Sequence, residues 1–478
     1  MDLFDNIFDM TKLMNVKCSK RKSYTKYILR SFALKTDNTT INNNTIRIGY
    51  PITTNKEIFR THLKGGSFFL HKQFLRNLID MDNKTQTNNL TEEPEIIIDY
   101  SKNPYGELKM NIHFNKTLSD LRKSQEKNTQ PLYKNVLIIY IDAVSRQHFL
   151  RKFKKTAEFI SKFLGYKNKE KFQSFQFFKF QSYNAGTKGN LYRMIYGKPI
   201  KRKKSRSVIH YYKENGFVTA QINDFCCKEP DIYYKQYKKR HEREYAEFDH
   251  ELITLNCDPN YEIEPGEYNF FRGYCAFVQR CVYGKQNVEY FFEYATKFWE
   301  TYKTNRKFLK FHISTAHEST GEVVKYTDEP LYNFITNLFK KNLLEDTLTL
   351  FISDHGLHMP TIYDILRSED FEYEKHLPHL FIIVPKKNDT SYEKQFGIIY
   401  NNQQNFIIPT DIYNTLSHVV YGDQYYNLTT QNETMNTPKS KKAYSLFEEM
   451  PVNRSCENYF ALTKTCQFIL YSELNKTN

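Results

Sequence analysis

Asn135-Val136-Leu137-Ile138-Ile139-Tyr140-Ile141-Asp142 is an apolar run that ends abruptly on a carboxylate, and its reading decides the fold. The run is too short to cross a membrane and reads as a strand. Four more runs follow, at Phe217 to Ile222, Phe308 to Ile313, Leu348 to Ile352 and His379 to Val384. Longer helical stretches separate them, which predicts an α/β core around a mainly parallel sheet flanked by helices. The first four strands run directly into ionisable residues: Asp142, Asp224, then His317 shortly after the third, and Asp354-His355 after the fourth. Open α/β sheets bind ligands beyond the carboxyl ends of their strands, so these distant residues are expected on one rim.

Upstream of this core, residues 1–130 are polar and rich in Asn. They hold short β-type runs at Thr45-Ile46-Arg47-Ile48 and Glu95-Ile96-Ile97-Ile98 and read as a smaller β-rich accessory region. The expected division is an accessory region over 1–130, a catalytic core over 131–450 and a cysteine-containing tail over 451–478. No internal repeat is visible.

At 478 residues the chain can bury a large core. Its 37 Tyr and 38 Phe supply much of the apolar area, although mean hydropathy is only −0.68. The 69 Lys and Arg exceed the 54 Asp and Glu, a formal charge of +15, which favours acidic partners: phosphorylated or sulfated ligands, anionic membrane surfaces or nucleic acid. Basic clusters such as Lys201-Arg202-Lys203-Lys204 and Lys238-Lys239-Arg240 come without any nucleic-acid-binding motif. They read as solvated loops and helix faces, and nucleic acid ranks last among the partners.

The start, Met1-Asp2-Leu3-Phe4-Asp5, lacks the order of a signal peptide. Against this stand ten Asn-X-Ser/Thr sequons, at Asn38, Asn43, Asn83, Asn89, Asn115, Asn388, Asn427, Asn432, Asn453 and Asn475, where chance gives about five. Eight cysteines (Cys18, Cys226, Cys227, Cys257, Cys275, Cys281, Cys456 and Cys466) form an even set without a CxxC pair, which fits disulfides in an oxidising compartment better than a zinc ribbon. The expectation is a glycoprotein of the secretory lumen or the extracellular space, with a truncated start or an upstream anchor accounting for the missing signal.

Two further stretches carry chemistry. In Asp354-His355-Gly356, adjacent carboxylate and imidazole at a strand end suit two ligands on one cation, with Gly releasing the backbone. In Tyr183-Asn184-Ala185-Gly186-Thr187-Lys188-Gly189-Asn190-Leu191, a glycine-containing turn precedes a helix running towards Gly197. A hydroxyl at that helix N-terminus meets an anion-favouring site, and a divalent cation can make it nucleophilic. The bland alternatives are helix capping for Thr187, Asp142 and Asp224, and satisfied core histidines for His317 and His358.

Asn135 to Arg146 and Phe351-Ile352-Ser353-Asp354-His355-Gly356 resemble two hallmarks of domain of unknown function 229, in the alkaline-phosphatase and sulfatase-like superfamily. Tyr183-Asn184 followed by Thr187, Asn190-Leu191 and Gly197 is similar to the family's nucleophile segment, with slightly compressed spacing. Further likeness lies in Asn215 to Thr219, in Tyr373 to Pro378 leading to Pro385, and in Cys456 and Cys466. The resemblance spans roughly residues 130–470.

It implies that Asp142, Asp354 and His355, with the hydroxyl of Thr187, hold a divalent metal ion (Zn, Mn or Ca), and that Thr187 is the nucleophile of a phosphate-ester hydrolase or transferase. Two-metal relatives carry an Asp four residues before the histidine matched by His317, where this chain has Ile313. The resemblance therefore leaves His317 to contact substrate or leaving group. Thr187-Lys188-Gly189-Asn190 lacks the Cys/Ser-X-Pro-X-Arg motif of formylglycine sulfatases, which favours phosphate over sulfate esters. The expected substrate is an anionic small molecule, lipid head group or glycan; the competing reading is a catalytically inactive glycan- or protein-binding member.

Overall fold

In a computed structural model of the chain, the described residues are 39–42, 45–48, 95–99, 107–165, 168–197, 207–224, 248–252, 281–282, 285–318, 320–358, 369–387, 390–427, 442–456 and 459. Their centre is a seven-stranded sheet of β1 (Asn135–Ile141), β2 (Phe172–Gln176), β3 (Phe217–Asn223), β4 (His250–Leu252), β5 (Arg306–Ile313), β6 (Thr347–Ile352) and β7 (Leu380–Pro385). The order across the sheet is β2-β7-β6-β1-β5-β3-β4. The strands from β6 to β4 are mutually parallel, whereas β7 runs antiparallel to both β6 and β2. The five expected strands are all present within two residues of their expected ends; β2 and β4 were not foreseen.

Every residue of β1, β5 and β6 is buried, because helices cover both faces of the sheet. These helices are α1 (Arg146–Lys152), α2 (Lys154–Ser161), α3 (Thr187–Tyr196), α4 (Val208–Glu214), α5 (Asn287–Thr301), α6 (Asp328–Lys340), α7 (Thr390–Asn402) and α8 (Pro409–Tyr421). Strand periodicity divides β1 between two cores. Leu137, Ile139 and Ile141 share one with Phe159 of α2, Trp299 of α5 and Ile335 of α6. Val136, Ile138 and Tyr140 share the other with Leu191 of α3, Ile209 of α4, Phe396 of α7 and Leu416 of α8. Each such side chain contributes about 1.5–3 kcal/mol on burial, so the helices are pinned to the sheet mainly by apolar area.

Register brings the carboxyl ends of the central strands level, since Tyr140 of β1 pairs with His312 of β5 and with Ile352 of β6. A separate antiparallel sheet joins Thr39–Asn42, Thr45–Ile48, Glu95–Asp99 and Glu107–Asn111 in that order, and the two early β-type runs fall within it. Its last strand meets the core through buried Met110, whose carbonyl accepts from Lys297 Nζ of α5. Beyond α8, Arg454 reaches back to Asp411 in a buried ion pair of 3.0 Å. Of the cysteines, Cys456 is buried beside Phe406 and Ile408; the expected disulfide partners lie largely outside the described residues.

Candidate functional site

β1 carries Asp142 to the carboxyl edge, where its N–H donates to Ile313 O at 2.8 Å. The chain then turns through Ala143 at φ 60°, a left-handed conformation that costs a non-glycine residue about 1–2 kcal/mol. Strain of this kind persists only where the surroundings fix it. Here Val144 N–H donates to Ser353 Oγ (3.1 Å), and that hydroxyl donates to His355 O (2.9 Å). The loops after β1 and β6 are thereby tied to each other. Asp142 caps no helix; Ser145 caps α1, accepting from His148 N–H.

On the β6 side, Asp354 Oδ1 accepts from His355 N–H at 2.9 Å. His355 Nδ1 lies 2.7 Å from Gly356 O, a contact that requires a proton on Nδ1 and leaves the lone pair on Nε2. Gly356 is needed because a Cβ there would stand 2.1 Å from Glu374 O. The residue that frees the backbone in the sequence is thus one that packing allows no side chain.

The third contribution comes from α3. Thr187 is its first residue, preceded by Gly186, and no side chain caps the helix. The Thr187 hydroxyl faces the strand ends instead, 3.3 Å from Asp142 Oδ1, 3.4 Å from Asp142 Oδ2 and 3.1 Å from His355 Nε2. No acidic residue occupies the first turn, so the positive end of the helix dipole favours an anion there.

Asp142, Asp354 and His355 offer ligand atoms that all lie within 4.8 Å of one another. The Asp354 carboxylate is buried with the Tyr140 hydroxyl as a hydrogen-bonding neighbour, and its Oδ2 stands 3.3 Å from His355 Nε2. With the ring proton on Nδ1, lone pairs face each other there, and a divalent cation fits the oxygen and nitrogen donors. His317, His355 and His358 form a second group within the same limit. The His358 ring centroid is 4.4 Å from that of His355 and 5.1 Å from that of His317.

Electrostatics separates the two carboxylates. Burial alone would raise Asp142, but the hydrogen bond from His312, with favourable electrostatics from the imidazoles around it, holds it well below the usual range. Burial, reinforced by the neighbouring charge of Asp142, pushes Asp354 up to about 6. Two carboxylates this close cannot both ionise cheaply without a cation between them. Burial also lowers His317, and takes His358 down to about 3 with help from His355 and His317, which leaves both rings neutral and able to act as ligands at neutral pH.

The site has one member that the sequence reading overlooked. His312, near the end of β5, is buried with Nε2 3.3 Å from Asp142 Oδ2, and its ring meets Tyr140 edge-on at 4.6 Å. The signal was the alternation on β5, which puts Lys310 and His312 in succession on the face shared with Phe308. Asp224, just beyond β3, grips the turn after β5. It accepts from Ser314 N–H and Ser314 Oγ, both at 2.7 Å, and burial pushes it up to about 6.

The profile of a family described as "Protein of unknown function (DUF229)" matches residues 17–477. No curated protein matches in sequence. Among solved structures, the C-terminal periplasmic domain of EptC from Escherichia coli, in complex with Zn, is similar at 10% identity and a TM-score of 0.42, over 71% of this chain and 93% of that one. The lipoteichoic acid synthase LtaP from Listeria monocytogenes gives 13% identity and 0.34, over 57% and 72%. The putative sulfatase yidJ from Bacteroides fragilis gives 13% and 0.38, over 67% and 78%.

Proposed function

We propose that this chain, which belongs to the DUF229 family, is a metal-dependent hydrolase or transferase of phosphate esters that works through Thr187. The observation that carries the reading is the Thr187 hydroxyl, which leaves its own helix uncapped and stands 3.1 Å from His355 Nε2 and 3.3 Å from Asp142 Oδ1. Asp142, Asp354, His355 and Thr187 would hold the cation. When bound, it would lower the pKa of the hydroxyl and offset negative charge on the substrate.

The residues of the chain do the rest. Asp142 and His355 aim Oγ1, while the first-turn N–H groups of α3 receive the phosphoryl oxygens. Oγ1 attacks phosphorus in line, the Oγ1–P bond forms as the bond to the leaving oxygen breaks, and the Thr187 proton ends on the leaving alcohol. Water or an acceptor alcohol then displaces Thr187 and restores its hydroxyl. His317, held neutral by burial, is placed to contact substrate or leaving group. The absence of a formylglycine motif favours phosphate over sulfate. The basic charge and the sequons favour an anionic small molecule, lipid head group or glycan, met in a lumenal or extracellular setting and in reach of membrane surfaces. Residues 131–450 form the catalytic core in this reading, with 1–130 as accessory region and 451–478 as tail.

The test is turnover of phosphate mono- and diesters and of a sulfate ester by purified protein, before and after chelation. Turnover of a phosphate ester that chelation abolishes and Zn, Mn or Ca restores supports the proposal. Metal-loaded protein that turns over none of them favours the inactive binding reading.

A further inference from the structure

We propose that Asn190 is the positioning residue that sets Thr187 for attack, an inference that rests on the reading of Thr187 above. Asn190 lies in the first turn of α3, three residues after Thr187, and is fully buried. Asparagine is a weak helix former because its carboxamide competes for backbone groups. Here that competition is directed at the loop that delivers the nucleophile. Asn190 Oδ1 accepts from Tyr183 N–H at 2.7 Å and Asn184 N–H at 3.4 Å. Its Nδ2 donates to Asn184 O at 2.7 Å and Gly186 O at 3.0 Å. Both donors and both acceptor lone pairs of the carboxamide are therefore used on residues 183–186.

A second strap lies within the loop, where Gly186 N–H donates to Asn184 Oδ1 at 3.1 Å. The loop presses on the helix so closely that a Cβ on Gly189 would stand 2.3 Å from Asn184 Nδ2. An N-terminus of this kind is ordinarily held by the side chain of its N-cap residue, which Gly186 cannot supply. The carboxamide fixes the turn from inside the protein, which releases the Thr187 hydroxyl to face Asp142 and His355. Asn190 touches neither of those side chains in any hydrogen bond, so its effect on chemistry passes through the backbone of Thr187. Preorganisation of this sort matters because a misplacement of about 1 Å can cost about 100-fold in rate.

The experiment compares wild type, Asn190→Ala and Asn190→Asp, each in the full chain loaded with the same metal. Asp keeps the shape and one acceptor but turns an oxygen on Asn184 O and Gly186 O; Ala removes the strap. Amide exchange at residues 183 and 184 should quicken by about 10-fold or more in Asn190→Ala. The kcat on a phosphate ester should drop by about 100-fold, with KM within about threefold and metal content unchanged. In a Thr187→Ala background, Asn190→Ala should lower the residual rate no further. Wild-type turnover that survives Asn190→Ala, or a further loss in the Thr187→Ala background, overturns the role of Asn190 and leaves that of Thr187 intact. A wild-type protein without turnover sinks the reading of Thr187 and this inference with it.

Discussion

His312 Nε2 lies 3.3 Å from Asp142 Oδ2, both side chains buried at the level carboxyl ends of β5 and β1. A hydrogen bond to the ionised form stabilises it, which is how a buried carboxylate stays charged and oriented. Groups that orient a ligand from behind are typically worth about 10–100-fold in metal affinity. His312→Phe keeps a ring against Tyr140 and removes the hydrogen bond. The affinity for Zn or Mn, measured by calorimetry, should weaken by about that factor while the metal-free protein stays folded. Unchanged affinity would remove His312 from the site.

Asp354 carries a cost that a bound cation would offset. Burial and Asp142 hold its carboxyl up to about 6, so neutralising it relieves the metal-free fold. Asp354→Asn keeps an oxygen to accept from His355 N–H. The metal-free variant should melt no lower than metal-free wild type, whereas saturating metal should raise the Tm of wild type alone. Ligand at about 100 times its Kd stabilises by about 2.7 kcal/mol. A metal-dependent rise in the variant equal to that of wild type would contradict the ligand assignment.

Buried histidines away from this cluster set the acid limit of stability. Burial takes His148, His250 and His418 down to about 4 and His379 to about 3. Their folded pKa values lie below the unfolded value of about 6.5, so as pH falls the unfolded chain takes up protons first. Their contribution is complete above about pH 6.5 and is lost towards pH 4, at up to about 1.4 kcal/mol per pH unit for each ring. Melting with a chelator present should show Tm falling steadily below pH 6.5. A flat Tm from pH 7 to pH 5 would mean that these rings are hydrated in solution.

The pair Arg454 and Asp411 tests the anchoring of the segment after α8. Arg454 Nη2 is 3.0 Å from each Asp411 oxygen, and both side chains are buried. Arg454→Leu leaves the carboxylate in the core without its partner, a loss of about 3–5 kcal/mol. Chemical denaturation should show that drop; the double variant Arg454→Leu with Asp411→Asn should recover part of it.

Much of this architecture was legible because its signals are local. Asn135 to Ile141 is apolar at every position but its first, and such a run with a terminal carboxylate describes a central strand and the carboxyl edge where Asp142 stands. Asp354-His355-Gly356 was legible for the same reason. β2 was missed because Phe172-Gln173-Ser174-Phe175-Gln176 has three polar residues of five, and Gln173 and Ser174 are buried only by tertiary packing, with Ser174 Oγ donating to Ile160 O of α2. The reversed direction of β7 is likewise a property of its neighbours and leaves no trace in Leu380 to Pro385. His312 escaped notice because a histidine inside an apolar run reads as core until β1 places Tyr140 and Asp142 beside it.

The most direct test of the central claim is the rate of phosphate-ester turnover by Thr187→Ala, measured beside its metal content. Asp142, Asp354 and His355 remain in that variant, so metal should stay near the wild-type level while turnover falls to a residual background rate. Asp354→Ala should lose both together. Full activity in a metal-loaded Thr187→Ala protein would make a water molecule the nucleophile and contradict the account at its centre.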